Sequence, residues 1–141
     1  MKLKIIKIKD NVKIPNYANH GDAGLDLYSA EDFVLKPRER RAFETGIKME
    51  IPDGYAGLIW DKSGIAANFG IKTIAGVIDS TYRGEIKVAL MNLSGQDFEI
   101  KSGMKIAQML IQKIERAEFE IFESMSETKR GEGGFGSTGL H

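Results

Sequence analysis

The run EIKVALMNLSGQDFEIKSGMKIAQMLIQKI, Glu85 to Ile114, holds three alternating apolar segments, Glu85 to Leu93, Phe98 to Ile100 and Met104 to Ile114. They are separated by turn residues at Ser94-Gly95 and Lys101-Ser102-Gly103. Period-two alternation broken at glycine-bearing turns is the pattern of antiparallel strands joined by tight connections. Outward from this run the pattern repeats. Strands are expected over Lys2 to Lys9, Gly24 to Tyr28, Arg41 to Ile51, Tyr55 to Trp60 and Glu118 to Phe122, with further turns at Lys36-Pro37 and Ile51-Pro52-Asp53-Gly54. Only Ser63 to Asn68, Ser-Gly-Ile-Ala-Ala-Asn, suggests a helix, with Ser63 placed to cap its amino terminus. The fold expected is all-β, a distorted antiparallel jelly roll or barrel with one short helix.

The 141 residues suit one domain with one real core. Two regions are expected: a jelly-roll domain over 1–128 and, over 129–141, a flexible glycine-rich arm. Five glycines fall within Arg130 to Gly139 beside a single aromatic, too little to pack a core. Twenty Lys and Arg balance twenty Asp and Glu, so no global basic field argues for wrapping nucleic acid. Any anion must be held by local groups. Cysteine is absent, which excludes disulfides, thiolate zinc sites and a cysteine nucleophile. The two histidines, His20 and His141, are too few for a His-rich metal site. Met1 to Lys9 mixes lysine with isoleucine and lacks a long apolar core, which reads as a soluble cytoplasmic protein without a membrane partner.

Five glycine-marked polar clusters punctuate the strands: Ala23 to Ala30, Asp61 to Ala67, Gly76 to Gly84, Gly103 to Gln108 and Arg130 to Gly139. In the third, an apolar strand delivers Asp79 into a turn before the next strand begins at Glu85. Asp79 can deprotonate a water there, and Tyr82 can offer its face to a sugar; alternatively Asp79 satisfies donors of the turn. In the first, Asp26 alternates with leucines, so it either orients the water shell of Mg²⁺ or faces solvent. Asp61-Lys62-Ser63-Gly64 sets a cation and a hydroxyl at a helix start, suited to phosphate oxygens or to an ordinary cap. Gln108 interrupts an apolar parity, serving a ligand or closing a backbone gap. The last cluster, with Arg130, Phe135, Gly136, Ser137 and Thr138, reads as an arm that closes over a nucleotide, or as a disordered or RNA-touching tail.

In this order the five clusters closely resemble the motifs of the homotrimeric deoxyuridine triphosphatases, the dUTPases. The resemblance spans nearly the whole chain and implies Mg²⁺-dependent hydrolysis of dUTP to dUMP and pyrophosphate, in sites shared between three subunits. By it, Asp79 is the base for the attacking water, Tyr82 packs beneath the deoxyribose, and hairpin backbone at Gly76 and Ile78 pairs with uracil. Asp26 holds the metal through water. Lys62, Ser63, Gly64 and Gln108 contact phosphates, and the arm adds Arg130, Phe135, Gly136, Ser137 and Thr138. Two places, three residues in all, depart from the family pattern. The second motif commonly reads Pro-Arg-Ser-Gly where this chain has Asp61-Lys62-Ser63-Gly64, and some relatives carry asparagine in place of Thr73. Lysine offers a point charge instead of a bidentate fork. The rival expectations are a dCTP deaminase of the same fold, alone or bifunctional with dUTPase activity, a noncatalytic dUTP-binding regulator, and a small RNA-binding barrel.

Overall fold

The computed structural model describes residues 1–134. Ten strands and one helix follow in chain order: β1 (Lys4–Lys7), β2 (Leu25–Tyr28), β3 (Phe33–Leu35), β4 (Arg40–Glu50), β5 (Tyr55–Asp61), α1 (Ser63–Phe69), β6 (Ile71–Thr73), β7 (Val77–Ile78), β8 (Glu85–Asn92), β9 (Phe98–Ile100) and β10 (Lys105–Lys113). Every pairing is antiparallel. One sheet runs β1-β4-β8-β6, a second β2-β10-β5-β7, and β3 pairs with β9 alone.

Alternation sends Phe43, Ile47 and Met49 of β4 and Ile86, Val88 and Leu90 of β8 inward. They share one core with Leu25, Leu27, Ile59, Ile106 and Met109 of the second sheet. Each such side chain, fully buried, contributes about 1.5–3 kcal/mol relative to exposure. This holds the two sheets face to face as a sandwich, the all-β jelly-roll architecture that the sequence predicts.

Four local features differ from expectation. Glu118 to Phe122 forms no strand: Phe119 is 96% and Ile121 100% exposed. Its alternation is real, but no strand edge of the same chain lies against it. Ser63 is not the cap, because Lys62 occupies that position with extended backbone and no capping side-chain bond, and Ser63 is already helical. The strands β3 and β6 lie outside the sequence expectation, since three residues give little alternation to read, whereas β7 is the short apolar strand expected to lead into Asp79. Finally, a register shift between Lys105 and Ala107 buries both Ile106 and Ala107, so Gln108 no longer shares Ile106's face.

Candidate active site

The hairpin between β7 and β8 is sealed by its own backbone and by Arg83. Tyr82 N donates to Asp79 O at 3.1 Å, and Arg83 Nη1 donates to the carbonyls of Ser80 and Tyr82 at 2.6 and 2.9 Å. These bonds leave the Asp79 carboxylate out of the turn; it makes no hydrogen bond among the described residues and is exposed. The reading in which Asp79 merely satisfies turn donors therefore does not hold. A cavity of about 200 Å³ opens beside it, lined by Val77, Ile78, Asp79, Tyr82, Glu85 and Lys87.

Two glycines shape this hairpin. A Cβ on Gly84 would stand 2.2 Å from the Tyr82 hydroxyl oxygen and 2.4 Å from its Cζ. The ring therefore folds back over Gly84, and its hydroxyl donates to the Glu85 carbonyl at 3.1 Å. A Cβ on Gly76 would stand 2.6 Å from Ile59 O, while Ile59 N donates to Gly76 O at 2.8 Å. Close approach to β5 thus accounts for glycine at 76. Gly64 differs, because a Cβ there meets open space.

A second cluster gathers where β5 passes into α1. Asp26 is 2% exposed, which removes the solvent-facing alternative. Its strand is covered by β10 on one side and by a bridge to Asn16 on the other, with Asp26 N donating to Asn16 O at 2.8 Å. Lys62 Nζ donates to its Oδ1 at 2.5 Å. Lys105 Nζ lies 2.7 Å from Oδ2, yet off the hydrogen-bonding line, so that oxygen is charge-compensated and keeps an unused acceptor direction. Burial opposes the Asp26 charge, but the ammonium groups of Lys105 and Lys62 outweigh it and hold the carboxyl below its ordinary range. The same contact raises Lys105.

Gln108 sits directly across from Asp26 and from Trp60, and its Nε2 donates to Asp61 O at 2.9 Å. It does close a backbone gap, and its carbonyl oxygen makes no hydrogen bond among the described residues. Ser63 and Gly64 are exposed in the first turn of α1. Arg130 Nε donates to Gly133 O at 2.6 Å in a local turn remote from both clusters in sequence. Phe135, Gly136, Ser137 and Thr138 lie outside the described residues.

The two clusters stand apart in one chain. Ile78 pairs with Gly57, four residues from Asp61, which at ~3.3 Å per residue is about 13 Å along β5. Asp79 continues away from Asp61. Sequence reading missed Lys105 and the partners of Asp61. A cation inside the fourth cluster was the available signal for the first; only register could reveal the second.

Magnesium is implied by the family, and the donors suit it. No cluster of three His, Cys, Asp or Glu exists among the described residues to cage a cation directly. Mg²⁺ usually keeps its waters and takes one or two carboxylates plus substrate phosphates, which a single buried Asp26 with a free acceptor direction accommodates.

An acid left free to take a proton from water, and cations gathered for an anion, equip an all-β scaffold for hydrolysis of a phosphorylated small molecule; that is the class to which fold and site point. The dUTPase family model matches residues 10–139. The deoxyuridine 5′-triphosphate nucleotidohydrolase of Clostridium kluyveri is 47% identical over 99% of both chains, and that of Anaplasma marginale 48% identical with the same coverage. Among solved structures, the Staphylococcus bacteriophage 80alpha dUTPase with dUpNHpp superposes with a TM-score of 0.92 at 28% identity over 99% of each chain. A dUTPase from phage phi11 of S. aureus, described with a structural Mg(II) ion, gives 0.84 at 25% identity, covering 90% of this chain and all of that one. The chain belongs to the dUTPase family and is an enzyme of that family.

Proposed function

We propose that this enzyme hydrolyses dUTP to dUMP and pyrophosphate, with water attacking the α-phosphorus. Such a reaction limits uracil incorporation into DNA and supplies dUMP for thymidylate synthesis. The observation that carries the reading is the unpaired Asp79 carboxylate on the rim of the hairpin cavity. Asp79 holds the attacking water and takes its proton. Tyr82, seated over Gly84, packs beneath the deoxyribose and leaves no room for a 2′-hydroxyl, while backbone at Gly76 and Ile78 pairs with the uracil edge. Lys62, Ser63, Gly64 and Gln108 hold the phosphates. A triphosphate carries about four negative charges, so positioning and charge stabilisation supply most of the rate.

Asp26 is the residue that would hold Mg²⁺ through water, and the bound ion would neutralise phosphate charge. A bound triphosphate would offer Lys62 a phosphate oxygen in place of Asp26. The arm, through Arg130, Phe135, Gly136, Ser137 and Thr138, closes the site over uracil and the γ-phosphate and excludes water.

The separation of the clusters along β5 favours a site shared between copies, in which one copy brings Asp79 to a phosphorus held at Lys62 and Gln108 of a neighbour, and the homotrimer is the assembly that the family resemblance implies. The solvent-exposed, strand-patterned Glu118 to Phe122 supports assembly as well, since its apolar residues need a partner that the single chain does not provide. Action in the cytoplasm belongs to the same proposal; among the described residues no helix is long and apolar enough to cross a membrane.

The deaminase alternative requires a glutamate base. Glu85 lines the cavity, but its Oε1 accepts from Gly46 N at 2.8 Å. Purified protein incubated with dUTP, UTP, dCTP and dUDP, with Mg²⁺ and with chelator, separates the readings. Pyrophosphate from dUTP alone supports the hydrolase. Ammonia from dCTP would establish the deaminase, and binding of dUpNHpp without turnover of dUTP would establish a regulator.

A further inference from the structure

Asp61 and Thr73, two of the three positions at which this chain departs from the family pattern, are bonded to each other. Asp61 Oδ1 accepts from both Thr73 N and Thr73 Oγ1 at 2.7 Å, and Oδ2 accepts from Lys72 Nζ at 2.6 Å. Asp61 ends β5 in one sheet and Thr73 ends β6 in the other, so the carboxylate ties the two sheets together at the turn that leads into α1. Two further bonds leave the same point. The Asp61 carbonyl takes Gln108 Nε2 at 2.9 Å, and the next residue, Lys62, reaches Asp26 at 2.5 Å.

We propose that Asp61, clamped on Thr73, is a positioning residue for the phosphate-binding groups: it fixes the turn that a proline stiffens in the commoner motif and so sets where Lys62 and Gln108 point. A proline at this position restrains the backbone through its ring. Aspartate has no ring, and three side-chain bonds to β6 supply the restraint from outside. The charge is accommodated locally. Lys72 sits on the oxygen that Thr73 does not use, so the carboxylate beside Lys62 is neutralised within the protein and does not repel an incoming triphosphate. Thr73 has a matching reason to replace asparagine, because its backbone N–H and short hydroxyl together converge on a single oxygen of Asp61.

The inference rests on the assignment of Lys62 and Gln108 to phosphate, and its test keeps the two separable. The full-length enzyme is assayed for kcat and KM with dUTP and Mg²⁺, and for thermal unfolding, as wild type and as Asp61→Ala, Asp61→Asn, Thr73→Val, the Asp61→Ala/Thr73→Val pair, Lys62→Ala and Gln108→Ala. Asp61→Ala is expected to raise KM about tenfold, the size of one charge-assisted hydrogen bond, with kcat changed far less. Asp61→Asn keeps the acceptor for Thr73 and restores KM to within about threefold of wild type. The double variant should be no worse than Asp61→Ala, as expected for two ends of one interaction.

A lowered melting temperature in Asp61→Ala with unchanged KM, while Lys62→Ala and Gln108→Ala raise KM, would overturn the clamp and leave the phosphate assignment standing. Unchanged KM in Lys62→Ala and Gln108→Ala would overturn both. Should Asp61→Ala fail to fold, the Lys72→Met/Thr73→Val pair, which removes two of the three bonds on Asp61, decides: a folded variant with wild-type KM overturns the proposal, and a raised KM supports it.

Discussion

Lys62 Nζ meets Asp26 Oδ1 at 2.5 Å, reaching from the end of β5 past the intervening β10 to β2. The cation that the sequence offers to phosphate is therefore already on a carboxylate, with Lys105 holding the other oxygen. With the phosphate role proposed for Lys62, substrate binding is an exchange of partners instead of capture by a free charge.

Because Asp26 has two lysines, losing one leaves it compensated. Lys62→Met should raise KM for dUTP with little change in unfolding temperature. Removing Lys105 in addition strands a buried carboxylate, an uncompensated charge that costs about 3 kcal/mol or more. Urea unfolding of the single and double variants measures this, and a strictly additive loss would contradict shared compensation.

The sequence carried the architecture wherever alternation ran for several residues. Glu85 to Leu93 and Met104 to Ile114 are β8 and β10 within one residue at most of the ends. It failed where pairing depends on another segment. The strand β6 exists because β8 lies beside it, and Glu118 to Phe122 has strand chemistry with no edge to join among the described residues. Asp79 and Tyr82 were legible as residue types at a turn, and both line the hairpin cavity. What could not be read was partnership: the lysines on Asp26 and the Asp61–Thr73 pair arise from sheet order, which brings residues far apart in sequence onto one point.

Tyr82 owes its place to the missing side chain at 84. Gly84→Ala would press a methyl group to 2.2 Å from the Tyr82 hydroxyl and 2.4 Å from the ring, and so displace the ring proposed to pack on the sugar. Tyr82→Ala would empty the pocket floor. UTP acceptance relative to dUTP should rise about tenfold or more in Tyr82→Ala, a scale set by filling or emptying a snug pocket, while Gly84→Ala should lower kcat/KM for both nucleotides. Unchanged discrimination in Tyr82→Ala would place sugar selection elsewhere.

The pH dependence of stability follows from Asp61. Burial raises its carboxyl, but Lys72 and the two Thr73 donors more than offset that and leave it below the ordinary 3.8. A carboxyl lowered on folding contributes stability that is fully present above about pH 4 and is lost as pH falls through the lowered value. Asp61→Asn has no such charge to lose. Wild type should be the more stable protein at neutral pH, and the gap should narrow in urea unfolding below about pH 4. A gap independent of pH would contradict the ion-paired carboxylate.

Deleting 130–141 should leave the sandwich folded, because the core of the described residues ends with β10. Turnover should fall about a hundredfold, the scale of losing closure and alignment over the substrate. Circular dichroism and a dUTP assay on the truncated chain test both halves, and a truncation that unfolds the protein would give the arm a structural role instead.

The most direct test of Asp79 as the base for attack on the α-phosphorus is dUTP hydrolysis in ¹⁸O-labelled water, comparing wild type with Asp79→Asn. The wild type should place the label in dUMP and none in pyrophosphate. Asp79→Asn should lose about a thousandfold in turnover, within the range of removing a general base, while still binding dUpNHpp. Label in pyrophosphate, or near-normal turnover by Asp79→Asn, would contradict the account.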